Sequence, residues 1–313
     1  MAVRRSVEAA DGADGAAQRS PGASPRPAPL REVEAKDASA ARRLVSEHAP
    51  FVWRGASATS AAVARWTPAW FGEAYPELEV DVEVWPVASG GGAAPSIAPR
   101  RERRALREYV AGMSAPPTGE RLYLAELSIE RHFPELVADL PALRPIIGLP
   151  ASLPRALTDR LVLPPLLWIG PAGTVSSTHF DAYQNLFLQV SGEKKFTLFS
   201  PADSPNLYYP RADGDWRALH LSPVDVDAAD LRAFPRFADA RPIEVELGPG
   251  DVLHIPSGWW HHVRSLTESV SVNTWWVDFD ALRRASPFLL RQALLRSRER
   301  ARDALRERRE RRR

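Results

Sequence analysis

The chain is predicted to be mainly β with helical additions, its core a sandwich or barrel, and two observations carry that prediction. Between residues 166 and 277 short apolar runs follow one another closely: L-L-W-I-G, T-H-F-D, N-L-F-L-Q-V, K-F-T-L-F-S, I-E-V-E-L, D-V-L-H-I-P, W-H-H-V and V-S-V-N-T-W-W-V, with Gly and Pro turns between them. Ahead of that run, helix-period and strand-period segments alternate, which sets α/β elements in front of the β core. With 313 residues, 44% of them hydrophobic, the chain is long enough for one large core and leaves room for a second domain.

Taken in order, residues 1–30 are rich in Ala, Gly, Pro, Ser and Arg without hydrophobic period, so they are expected to form a disordered tail outside the fold. Asp37 is placed to cap a helix over A-S-A-A-R-R-L-V-S-E-H that ends near Pro50. F-V-W-R is a short apolar run closed by Gly55, and W-T-P-A-W-F-G-E-A-Y an aromatic-rich helical turn. E-L-E-V-D-V-E-V-W alternates, with Leu78, Val80, Val82 and Val84 on one face of a strand. Residues 86–102 read as a Pro/Gly/Ala loop. Leu106, Val110 and Met113 fall at helical spacing, R-L-Y-L-A-E-L is a strand with Tyr123 facing away from Leu122 and Leu124, and residues 129–160 form short helical turns. The stretch V-S-G-E-K from Val190 to Lys194 reads as a hairpin that returns Lys194 toward the sheet carrying His179. Gly248-Pro249-Gly250-Asp251 is a second tight turn, feeding the strand that leads to P-S-G-W-W-H-H-V.

Composition narrows the chemistry. There is no cysteine, so disulfides and thiolate chemistry are excluded and any metal must be held by nitrogen and oxygen ligands. The N-terminus has no apolar signal core and no apolar run is long enough to span a bilayer, so a cytoplasmic protein away from membranes is expected. Net charge is only +2, yet residues 281–313 are strongly basic at their end. Phe288, Leu289, Leu290, Ala293 and Leu294 form an apolar segment before the Arg-rich end, so this C-terminal helix should cover the barrel or the same helix of a second copy. Interspersed acids favour a salt-bridged helix there over a nucleic-acid-binding tail.

The stretch S-S-T-H-F-D-A-Y-Q-N-L-F-L-Q-V-S-G-E-K carries the candidate site. His179 and Asp181 are two apart in extended chain, so an imidazole and a carboxylate share a face. A lone H-x-D is common, and by itself reads as solvated surface. Two His and one carboxylate on one face is, however, the ligand set of Fe(II) centres with open positions. The third ligand must come from a distant strand: His261 or His262, of which only one can serve because neighbours on a strand face opposite ways. Only three lysines occur, and two of them, Lys194 and Lys195, lie in or beside this stretch.

H-F-D, N-L-F-L-Q-V-S-G-E-K, G-P-G-D-V-L-H-I-P-S-G-W-W-H-H-V and S-V-N-T-W together resemble the JmjC-type, cupin-like 2-oxoglutarate- and Fe(II)-dependent oxygenases, and within them the small protein hydroxylases related to the asparaginyl hydroxylase factor inhibiting HIF. The resemblance runs, with interruptions, from about Pro50 to Trp276. It implies a double-stranded β-helix (cupin or jelly-roll) core within an oxygenase domain of residues 31–280, and homodimerisation through the helix that follows. It implies His179, Asp181 and His261 as iron ligands and catalytic centre, with His262 facing away. It places Lys194 on the far carboxylate of 2-oxoglutarate, with Tyr123 and Ser176 adding hydrogen bonds, although relatives commonly carry Thr at the Ser176 position. Asn185 and Asn273 match asparagines near the other end of the cosubstrate, and Trp275 an aromatic wall. The implied activity is an Fe(II)- and O2-using dioxygenase that hydroxylates a protein or peptide side chain and releases succinate and CO2. An RNA-modifying hydroxylase of the same family, a cupin that binds metal or a small ligand without oxygenase chemistry, and an interaction protein acting through the C-terminal helix are the alternatives. The loops at 86–102 and 203–240 are expected to line the substrate groove.

Overall fold

The structure is a computed structural model and describes residues 28–86, 99–114, 119–147, 149, 154–209, 220–278 and 283. The first elements are short strands β1 (Ala28–Pro29) and β2 (Glu32–Glu34), helix α1 (Ala38–Ser46) and strand β3 (Phe51–Arg54). Asp37 caps α1 as its side chain predicts, accepting from the Ala40 N–H at 2.9 Å. Residues 28–30, placed in the expected tail, are part of the fold: β1 pairs in parallel with Ile243 and Glu244, and Leu30 is buried against Val52 and Val245. A two-residue strand carries no hydrophobic period, which is why composition could not show it. The remainder of that tail, like the C-terminal helix except for exposed Arg283, lies outside the described residues.

Helices α2 (Ala61–Arg65) and α3 (Pro68–Ala74) lead to β4 (Glu79–Pro86), whose Val80, Val82 and Val84 are buried on one face. Burial of that size contributes roughly 1.5–3 kcal/mol per side chain. Residues 87–98 of the predicted loop are outside the described residues, but its end is a strand: β5 (Arg100–Ala105) pairs antiparallel with β4. R-R-E-R-R-A has no apolar alternation because β5 is a sheet edge, stabilised by cross-strand charges such as Arg103 with Glu79 and Arg101 with Glu83. Helix α4 (Leu106–Met113) follows, then β6 (Glu120–Ser128), α5 (Ile129–His132), two 3-10 turns and α6 (Arg155–Leu161).

The core is made by β7 (Leu166–Gly170), β8 (Val175–Phe180), β9 (Gln184–Ser191), β10 (Lys194–Phe199), β11 (Ile243–Leu247), β12 (Val252–Ile255), β13 (Trp260–Ser265) and β14 (Ser269–Trp276). These strands divide between two sheets, β1-β11-β10-β13-β8 and β2-β3-β12-β9-β14-β7-β6-β4-β5. Successive core strands pass from one sheet to the other except at β10 and β11, which pair within the smaller sheet, so the core winds as a double-stranded β-helix, the jelly roll implied by the resemblance. Phe187 of one sheet packs on Phe196 of the other, with Leu198, Val245, Leu253, Ile255 and Val263 around them. The opposite face of the larger sheet, with Leu186, Leu188, Val190, Val270 and Val272, is covered by the helices. This double coverage explains why β9 is apolar on both faces.

The stretch from Val190 to Lys194 is not a hairpin. β9 and β10 belong to different sheets and share no ladder, so Gly192 turns an arch that crosses the core. Gly192 has φ +71°, and a Cβ there would lie 2.0 Å from the Glu268 carbonyl oxygen. An arch and a hairpin use the same turn residues, so local sequence does not separate them. The expected consequence for Lys194 nevertheless holds, because β10 shares the smaller sheet with β8. No helix among the described residues is long and apolar enough to cross a membrane.

Candidate active site

Strands β8 and β13 run antiparallel with His179 directly opposite His261, so two residues distant in sequence meet at one ladder position. Their rings lie 4.1 Å apart between centroids. Asp181, just past the end of β8, brings a carboxylate oxygen to 3.7 Å from His261 Nε2. One ligand atom from each of the three residues lies within 4.8 Å of the others, a group that could hold a metal ion.

The backbone selects the tautomers. His179 Nδ1 donates to the Ser177 carbonyl at 2.7 Å and His261 Nδ1 to the Trp259 carbonyl at 3.1 Å, so both Nε2 atoms carry free lone pairs. Burial and the neighbouring His261 push His179 down to about 3, and burial pushes His261 down to about 4. Both imidazoles are therefore neutral, while burial raises the Asp181 carboxyl against the pull of His179. Two neutral nitrogen donors and one carboxylate, short of positive charge, suit a divalent cation.

His262 faces the other way, as strand alternation requires. Its Nε2 lies 3.0 Å from Asp227, whose carboxylate also holds Arg264, and its Nδ1 is 3.5 Å from the Thr178 hydroxyl. The aromatic cluster of Phe180, Phe199, Phe237 and Trp260 covers this outer face.

A cavity of about 160 Å³ opens on the triad and reaches Lys194. The Lys194 ammonium is 1% exposed, hydrogen-bonds the Tyr123 hydroxyl at 3.2 Å, and makes no ion pair with a carboxylate among the described residues. Burial alone pushes it down to about 7. Ser176 hydrogen-bonds Tyr123, whose phenol burial pushes up. Gly170 makes room for this tyrosine, since a Cβ there would sit 2.7 Å from its ring. On the larger sheet, to which Tyr123 also belongs, Asn273 donates to the Asn185 side-chain oxygen at 3.2 Å, and Trp275 stacks on Tyr183 with centroids 5.7 Å apart. Thus His179, Asp181, His261, Lys194, Tyr123, Ser176, Asn185, Asn273 and Trp275 all line one cavity.

Three further lining residues with polar side-chain atoms were not singled out from sequence, Glu126, Trp168 and His220, nor were the apolar Phe187, Phe196, Ile255 and Val263. His220 enters from the segment after β10, pairing its carbonyl with the Phe180 N–H, and its ring meets that of His179 edge-on at 6.3 Å. The scarcity of histidine was the one signal for it. The loop 86–102 contributes no described residue to the lining, whereas 203–240 contributes His220.

Comparison with known proteins agrees with this geometry. Residues 37–281, most of the chain, match the family model described as a cupin-like domain. The chain is 39% identical over 155 residues to lysine-specific demethylase 8 of Xenopus tropicalis, covering 49% of this chain and 32% of that protein. It is 39% identical over 149 residues to Jumonji C domain-containing protein 5 of Drosophila melanogaster (45% and 35%), and 43% identical over 111 residues to HSPB1-associated protein 1 of Rattus norvegicus (35% and 23%). The matched region spans about a third or less of each of these curated relatives. A β-helix core, a histidine-aspartate-histidine group and a match across most of its length agree: the chain belongs to the cupin-like domain family, in its JmjC-type branch.

Proposed function

We propose that the protein is an Fe(II)- and 2-oxoglutarate-dependent dioxygenase that hydroxylates a protein or peptide side chain. One observation carries the reading: a neutral-histidine and carboxylate triad shares a cavity with a fully buried lysine that has no carboxylate partner among the described residues. His179, Asp181 and His261 would hold Fe(II), leaving positions open for cosubstrate and O2. Lys194 would take the far carboxylate of 2-oxoglutarate, which would supply a counter-charge for the buried ammonium. Tyr123 and Ser176 donate hydroxyls to the same carboxylate, and the Tyr123 phenol stays protonated throughout the physiological range. When bound, iron and 2-oxoglutarate would supply O2 activation, with succinate and CO2 as the coproducts of the hydroxylation. Trp275, Phe187, Phe196 and Val263 supply the apolar part of the cavity lining and limit water beside it.

Anaerobic addition of Fe(II) and 2-oxoglutarate should produce a charge-transfer absorption in wild type and none in Asp181→Ala. Its absence from pure, metal-loaded wild type would sink the reading. With host lysate as substrate, a product that gains one oxygen marks hydroxylation, whereas loss of a methyl group would mark demethylation instead.

A further inference from the structure

We infer that Ser257 is a positioning residue that holds the metal ligand Asp181 in place by fastening together the two chain segments that carry the triad. This role requires only that the triad bind a divalent cation, as proposed above, and is indifferent to the reaction that follows.

The three ligands are not held alike. His179 and His261 oppose one another in the β8–β13 ladder, and each ring donates to a backbone carbonyl. Asp181 has neither support. It lies beyond the end of β8, and its carboxylate accepts no hydrogen bond among the described residues. Its place is therefore set by its backbone, on the segment 181–183 that carries the chain from β8 in the smaller sheet to β9 in the larger.

A second crossing of the same kind, residues 256–259 between β12 and β13, runs beside it. Phe180 opposes Trp260 in the smaller sheet and Asn185 opposes Ile255 in the larger, so four residues intervene on each segment and the register turns the corner without a slip. Regular pairing lapses between those points, where Pro256 has no N–H to donate. Ser257 takes its place. Its hydroxyl donates to the Ala182 carbonyl at 3.1 Å and its N–H to the Gln184 side-chain oxygen at 3.3 Å, while the Gly258 N–H donates to the Asp181 carbonyl at 2.9 Å. Trp259, next in the same turn, supplies the carbonyl that orients the His261 ring. One turn thus sets two of the three ligands.

Ser257 and Gln184 are both buried, and neither lines the cavity. The Gln184 amide nitrogen donates to Asp278 at 3.0 Å and lies 2.6 Å from His48 Nδ1, which anchors the corner to the chain beyond α1 and to the chain leaving β14. The Ser257 hydroxyl does for Asp181 what the ladder does for the histidines: it limits where the carboxylate can be before a cation arrives. Ligands held in this way bind metal more tightly, because less order has to be imposed on binding.

The test compares full-length wild type with Ser257→Ala, Ser257→Thr, Gln184→Met and Ser57→Ala. Co(II) affinity is read by calorimetry, the coordination geometry by the visible absorption of bound Co(II), and stability by melting of the metal-free protein. Ser57→Ala is the control: Ser57 is likewise buried, its hydroxyl donates to the Gly250 carbonyl at 3.0 Å, and it is remote from the cavity lining. Ser257→Ala should raise the Co(II) dissociation constant about tenfold and shift the Co(II) bands. Ser257→Thr, which keeps the hydroxyl, should stay within about threefold. Gln184→Met removes the other anchor of the turn and should change affinity and bands in the same direction as Ser257→Ala, deciding the matter if that variant does not fold. Ser57→Ala should lower the melting temperature about as much as Ser257→Ala while leaving affinity within about twofold and the bands unmoved. Wild-type affinity and bands in Ser257→Ala, or equal weakening in Ser57→Ala, overturns the inference and leaves the metal centre standing. A wild type that takes up no Co(II) sinks the metal centre itself, and the positioning role with it.

Discussion

The two walls of the cavity are built for different tasks. The smaller sheet supplies His179, His261, Lys194 and Ser176, with Asp181 just beyond β8, so groups that change charge or bind ions stand mainly on one wall. The larger sheet supplies Tyr123, Trp168, Asn185, Phe187, Asn273 and Trp275, which give shape and neutral hydrogen bonds, with Glu126 as the one charged exception. The difference follows from coverage. The larger sheet is packed by helices behind and core in front, whereas the smaller sheet carries hydrogen bonds such as that of His262 with Asp227 on its outer face, which tie β13 to the segment after β10. Chemistry is thus fixed by strand register on one wall, and selectivity by side-chain shape on the other.

Substitutions on the smaller sheet should break function most. His261→Ala is expected to abolish stoichiometric metal binding, measured by calorimetry with Co(II) or Mn(II), whereas His262→Ala should retain it and lower only the melting temperature. Equal loss in both would show that the two faces of β13 are not divided as described.

Lys194→Met separates cosubstrate from metal. Metal binding should persist, and the 2-oxoglutarate dissociation constant should rise by on the order of a hundredfold or more, the cost of leaving one partner of a buried charge pair alone. The apo protein should respond in the opposite sense. Burial lowers Lys194 from 10.5 to about 7, so between those values the unfolded chain binds the extra proton and wild-type apo stability rises with pH. Lys194→Met should flatten this slope and stabilise the apo protein at pH 7 and below by up to about 4 kcal/mol. Urea titrations at several pH values measure both.

Effects on the larger sheet should be smaller. Trp275→Phe keeps an aromatic wall and should leave metal and 2-oxoglutarate affinity within about threefold, altering mainly peptide turnover, which steady-state succinate release would record.

The His-x-Asp pair was legible because strand alternation alone puts both side chains on one face, and the β core because Gly and Pro punctuate short apolar runs. The choice of His261 over His262 was not legible from spacing. It needed the resemblance, and the structure shows the physical basis in the ladder opposite His179. Glu126 escaped notice because a bulge in β6 reverses alternation without leaving a turn residue at the site. The arch at Gly192 passed for a hairpin for the converse reason, a turn signal that specifies a reversal but not which sheet receives the chain.

The register that opposes His179 to His261 has a consequence for how the protein matures. Both partners of β9, strands β12 and β14, and both neighbours of β10, strands β11 and β13, come from much later in the chain, so almost none of the core can form from local contacts. Topologies of this kind fold slowly and late. During synthesis, no nascent chain that ends before His261 contains all three residues of the triad. A stalled or truncated product would thus be unable to assemble the triad, and metal loading can serve as a readout that the last strands have closed.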